Sequence, residues 1–187
     1  DATGDVFAIG DDDSGRILAL DFASPMGRAD ILLRLTSGVL GEEFKTSAGA
    51  ACLESGWWVQ RAGDFAVALD FGGVGLHGLG AHAHNDDFSV CLEWRGRPVI
   101  TDPGTFLYTS DPEARNRFRS TLFHNTVMMD GREQRELGDG PFRLRGSDEA
   151  FQARPLGKDG WAFTRPLAPT VSHRREVRVR AGEVSIR

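Results

Sequence analysis

The sequence predicts a mainly β fold, an antiparallel β-sandwich with a short helical segment in front of it. Three observations carry this: apolar residues recur with period two, the runs are short, and turn residues punctuate them, with 23 Gly and 8 Pro in 187 residues. With 40% apolar and 26% charged residues, the chain can build one sizeable core but is short for two. Lys and Arg total 22 against 27 Asp and Glu, a net charge of -5 with no sustained basic block. No nucleic-acid partner is therefore expected. No membrane span is expected either, because no apolar run approaches the roughly 20 residues it needs. The start, Asp1-Ala2-Thr3-Gly4-Asp5, has no initiator Met and no basic and apolar leader. The chain reads as a piece of something longer.

Taken in order, Gly10-Asp11-Asp12-Asp13-Ser14-Gly15-Arg16 is dense in turn residues and reads as a loop; it lacks the Gly and distal Glu of an EF-hand. After Ser24-Pro25, the residues Ile31, Leu32, Leu35, Val39 and Leu40 repeat at helical spacing, with Gly41 as a stop. Near Gly49 the period changes to two, which divides the chain into a linker with a helix (1–48) and a β-sandwich (49–187). The sandwich is expected to be incomplete, since the chain stops at Ser185-Ile186-Arg187 within a strand pattern.

Within the second part, Phe65, Val67, Leu69 and Phe71 share one face of a predicted strand, and Phe88, Val90, Leu92 and Trp94 repeat the pattern. Arg95-Gly96-Arg97 then makes a hairpin into Pro98-Val99-Ile100-Thr101. Residues 126–129, 161–163 and 177–180 supply further short strands. Cys52 and Cys91 both lie in apolar runs and read as small buried hydrophobes; one disulfide between them stays open.

The chemistry concentrates in segments that strand patterning does not explain. His82 and His84, two apart in Gly80-Ala81-His82-Ala83-His84-Asn85-Asp86-Asp87, face one side of an extended backbone. Asp102 stands at a predicted strand end before Pro103-Gly104-Thr105, and His124 at a strand start. His84, Asp102 and His124 form a nitrogen-and-oxygen set suited to zinc; a hydrogen-bonded structural cluster uses the same residues equally well. Arg115, Arg117 and Arg119 alternate, and on an extended backbone they present a cationic row for carboxylates or sulfates, or else pair with Asp111 or Glu113. Tyr108, the single tyrosine, suits sugar stacking, proton transfer or plain packing. His77 and His173 read as structural.

Taken together, these segments resemble the heparinase II/III family of polysaccharide lyases. The resemblance rests on 10–16, His82-Ala83-His84-Asn85-Asp86, Asp102-Pro103-Gly104-Thr105, Arg119-Ser120-Thr121 with His124-Asn125-Thr126-Val127, and Asp130-Gly131 with Gln134, in order along the chain; His173-Arg174-Arg175 resembles a later element. The resemblance implies an (α/α) toroid joined to antiparallel sandwich layers, of which this chain carries the end of the toroid region and the first sandwich portion. It implies that His82 faces a substrate cleft as a catalytic residue, that His84, Asp102 and His124 hold Zn2+, and that the missing toroid supplies the principal acid and base. Tyr108 is carried as a further catalytic candidate, and Arg115, Arg119 and Asn125 as substrate contacts.

The function so implied is cleavage of a uronic-acid-containing acidic polysaccharide by β-elimination in the parent protein. Activity of the isolated chain is expected to be nil or nearly so. The expected location is periplasmic or secreted, with the cytoplasm left open. Two other functions remain: a carbohydrate-binding or assembly sandwich with structural zinc, and metal-assisted hydrolysis.

Overall fold

A computed structural model describes residues 49–52, 56–74, 78–146 and 151–187. The acidic loop at 10–16, the helix at 31–40, the boundary near 48 and His77 lie outside the described residues.

The first sheet is a five-stranded antiparallel meander of β1 (Gly49–Cys52), β2 (Trp57–Ala62), β3 (Phe65–Asp70), β4 (Val90–Trp94) and β5 (Arg97–Ile100), neighbours in that order. The second runs β11-β10-β9-β8, from β8 (Gln152–Pro155), β9 (Gly160–Ala168), β10 (Val171–Arg180) and β11 (Glu183–Ile186). A small hairpin of β6 (Glu136–Leu137) and β7 (Leu144–Arg145) stands apart. The molecule is mainly β and antiparallel. Among the described residues no helix is long and apolar enough to cross a membrane.

The expected period-two faces form the core except at Trp94, which ends β4 beside the hairpin turn and is exposed. Pairing sets Trp58 opposite Leu69, Leu69 opposite Val90 and Val67 opposite Leu92, so one face of the meander is continuously apolar. It packs on Phe163, Val177 and Val179 of the second sheet, with Phe71 and Phe88 closing one end. The β4–β5 hairpin turns on Arg95 and Gly96, both at positive φ (52° and 70°), as a two-residue connection of matching twist requires. Cys91 is a free, buried thiol; burial first, then the Asp102 charge, pushes its pKa up to about 12.

Two expectations change. The segment 126–129 forms no strand, only a Met129–Arg132 bridge, because Thr126 is held by its hydroxyl bond to the Asp87 carbonyl rather than by a ladder. The arginine segment is not extended: Pro112–Phe118 is a short helix, α1. Asp111 caps it by accepting from the Glu113 and Ala114 amides, and Pro112 stands in its first turn.

Candidate functional site

Between β3 and β4, and again between β5 and β6, the chain leaves both sheets, and these loops hold the candidate residues. The 82–87 segment precedes β4, and 101–105 follows β5. The segment 121–126 follows α1 and begins with a single 3-10 turn, Thr121–Phe123. Polar bonds replace ladders in tying these pieces together. Glu133 Oε2 accepts from Asn85 Nδ2 at 2.7 Å, from the Thr121 amide at 2.7 Å and from the Thr121 hydroxyl at 2.8 Å. Gln134 Oε1 accepts from the Asp87 amide at 2.9 Å, while Gln134 Nε2 donates to Thr126 Oγ1 at 3.0 Å. Asp87 is buried between two buried guanidiniums, 2.9 Å from Arg135 and 2.5 Å from Arg165 of β9, so the loops are anchored to the second sheet.

Inside this frame, His84, Asp86 and His124 converge: one donor atom from each lies within 4.8 Å of the other two. Both histidines are buried, Asp86 partly so. Asp102 is buried too, and its Oδ2 lies 2.7 Å from His124 Nδ1. Burial is the largest influence on His124 and opposes its charge, but the Asp102 bond and the Asp86 and Asp102 charges together raise its pKa. Asp86 is raised by burial, against the pull of His124 and His84. Asp70, at the end of β3, is raised well above the usual carboxylate range, by burial first and by Asp86 next.

These residues fit a divalent cation. Two imidazoles and carboxylates are the donor set zinc accepts, and ligands on a tetrahedral ion at about 2.0–2.1 Å sit about 3.3 Å apart, so small side-chain movements close the cluster. His124 Nε2 is buried and has no hydrogen-bond partner among the described residues. Carboxyl groups crowded until burial disfavours their charge sit where a cation is stabilised most. The fit has one condition. Arg115 lies 3.0 Å from His84 Nε2, and a guanidinium only donates, so Nε2 accepts. A metal drawing on Nε2 has to displace that guanidinium.

Of the sequence candidates, His84 and His124 meet, and the carboxylate that converges with them is Asp86, not the expected Asp102, which touches the group through its bond to His124 Nδ1. Asp86 was legible as the next step of the His82, His84 alternation. His82 is exposed at the rim, its ring 6.2 Å from Tyr108 and 5.4 Å from Phe142. Tyr108 is half-buried, with the Arg115 guanidinium 5.4 Å from its ring centre. Arg115 and Arg119 are not a cationic row on the surface: both are fully buried, at 0% exposure, because a helix sets residues four apart on one face. Arg115 donates to Thr105 Oγ1 at 3.1 Å and to the Pro141 carbonyl at 3.1 Å. Asn125 donates to the Thr101 carbonyl at 2.8 Å, and its own carbonyl accepts from Arg175 at 2.6 Å, so it latches the 124–126 loop to the end of β5.

A sequence profile described as Heparinase II/III-like, C-terminal, matches residues 45–187. The chain belongs to that family. Among solved structures, the heparan sulfate lyase HepC from Pedobacter heparinus is similar at a TM-score of 0.63 and 17% identity, over 94% of this heparinase II/III-like chain and 28% of that one. A heparinase III structure is similar at 0.55 and 22% identity, over 78% and 22% of the two chains. At such identities the likeness carries the fold. This chain spans about a quarter of the length of those proteins. No curated protein matches it.

Proposed function

We propose that this chain is the sandwich part of a polysaccharide lyase that cleaves a uronic-acid-containing polysaccharide by β-elimination, and that it supplies a zinc site and one cleft histidine. The observation that carries the reading is the exposed His82 at the rim of the buried His84, Asp86 and His124 cluster, in a chain of the heparinase II/III-like family. The location that goes with this reading is the periplasm or outside the cell.

Elimination next to a uronate carboxylate asks for three things: the C6 carboxylate neutralised, the C5 proton removed and the departing O4 protonated. His82, exposed and flanked by rings, can hydrogen-bond the substrate or exchange a proton with it. Tyr108 offers a phenol beside it, its ring 6.2 Å from that of His82 and within 5.4 Å of the Arg115 guanidinium. The other acid or base belongs to an (α/α) toroid domain of the parent polypeptide. His84 and His124, with Asp86 or Asp102, would hold the zinc; when bound, it would supply a fixed positive charge that ties the 82–87 and 121–126 segments together and favours an anionic sugar.

Two measurements test this. Elemental analysis of the purified protein is expected to give near-stoichiometric zinc that is lost in His124→Ala. The parent is expected to release sugars with an ultraviolet-absorbing unsaturated end, and this chain alone almost none. Products without unsaturation would make the parent a hydrolase, and no covalent change at all would make it a binding module; either sinks the lyase reading.

A further inference from the structure

Helix α1 and its C-cap carry two arginines four residues apart, Arg115 and Arg119, and both point inward beneath the loop 138–143 that joins β6 to β7. A guanidinium has five N–H donors, and Arg119 places all five. Nε donates to Asn116 Oδ1 at 2.9 Å. The other four reach backbone carbonyls: Pro141 at 3.2 Å, Arg143 at 2.9 Å, Gly138 at 3.4 Å and Gly140 at 2.9 Å. Arg115 adds a second bond to the Pro141 carbonyl. A six-residue surface loop is thereby fixed from below by two buried cations.

What the loop presents is Phe142, which is 37% exposed. Its ring lies 5.4 Å from His82 at 53° and 5.7 Å from Tyr108 at 32°, so the three rings make a shallow cup rather than a flat stack. Residue 82 is two positions before His84, which puts the cup beside the buried cluster. Phe142 leaves over a third of its surface in water next to the exposed ring of His82, so an apolar face stays open there. A pyranose ring is the ligand that such a surface suits. Its axial C–H groups form an apolar face attracted to the negative face of an arene, while its hydroxyl and carboxylate rim meets the polar edges of His82 and Tyr108.

We propose that Phe142 is a sugar-stacking residue, forming with His82 and Tyr108 a subsite for one pyranose ring of a uronate polysaccharide, and that Arg115 and Arg119 are its positioning residues. This rests on the lyase reading for the uronate but not for the stacking. The test titrates full-length protein and its Phe142→Ala and Phe142→Trp variants with an unsulfated hexuronate–hexosamine tetrasaccharide, an alginate tetrasaccharide and maltotetraose, followed by saturation-transfer NMR. At least one uronate oligosaccharide is expected to bind and to weaken tenfold or more in Phe142→Ala, with Phe142→Trp close to wild type and all three proteins folded at the assay temperature. In turnover the loss is expected in KM rather than kcat. Binding within twofold of wild type in Phe142→Ala, or no binding of any uronate oligosaccharide to wild type, overturns the subsite; equal affinity for maltotetraose overturns the uronate assignment. Unchanged binding alongside unsaturated products removes the subsite alone, whereas Phe142-dependent binding without such products removes the lyase reading alone.

Discussion

Phe163, between the sheets, has four aromatic rings around it: Phe71 at 4.8 Å, Phe88 at 5.9 Å, Trp58 at 6.2 Å and Trp161 at 6.3 Å. Arg119, beneath the 138–143 loop, has five polar acceptors. Both side chains are fully buried, yet the first is held by surface removed from water and the second by the direction of individual bonds. The apolar core tolerates small shifts because dispersion and hydrophobic forces are non-directional. The polar core fixes positions, since a hydrogen bond weakens steeply once its angle closes. The sheets therefore supply stability, and the loops above them supply the geometry of the site.

The largest effect is expected from breaking the apolar side. Phe163→Ala should cost about 3–5 kcal/mol by leaving a cavity among four rings, seen as a drop in denaturant midpoint across every probe of folding. The polar side should break differently. Arg119→Met removes four bonds to loop carbonyls, of which Pro141 keeps its bond from Arg115 and Arg143 its bond from the Gly138 amide, and should cost about 2–3 kcal/mol, with amide exchange rising in 138–143 before it rises in β3 or β9. Equal acceleration in the loop and in the sheets would show that the two cores are one cooperative unit.

His173 of β10 sits where the cores meet, its ring 5.0 Å from Phe88. Burial above all, then the Arg175 charge, opposed by Asp87 and aided least by Arg165, lowers its pKa from 6.5 to about 4. At neutral pH the ring is uncharged in both states. As pH falls below 6.5 the unfolded ring takes a proton that the folded ring refuses until about 4, so stability is lost across that window. The loss should be about 2 kcal/mol between roughly pH 7 and pH 5, measured as the difference in unfolding free energy between wild type and His173→Leu. Parallel pH profiles for the two proteins would place His173 outside the charge balance.

How much of this was legible in the sequence follows the same division. Strands β3, β4, β9 and β10 and the Arg95-Gly96 hairpin were readable because each alternates apolar residues or carries turn chemistry locally. Helix α1 escaped because its inward face is Arg115 and Arg119; a hydrophobic period cannot register a helix that buries charge. Its start signals, Asp111, Pro112 and Glu113, were present and were outweighed by the reading of Arg115, Arg117 and Arg119 as an extended row. That His84 and His124 come together was readable from residue type, whereas the carboxylate beside them is Asp86 in place of the expected Asp102. The role of Phe142 was not, because it depends on how Arg115 and Arg119 grip the carbonyls of its own loop, which no side-chain pattern encodes.

The Arg119 contacts on 138–143 are all made to main-chain oxygen. Such a grip is indifferent to which residues the loop carries, provided Gly138 keeps its close approach to the Arg143 carbonyl, where an added Cβ would stand 3.1 Å away. The tip is therefore an exchangeable cassette on a fixed mount. Randomising positions 139, 142 and 143 while leaving α1 intact would vary what the protein meets without relocating where it meets it, which makes this hairpin the natural place to build altered selectivity.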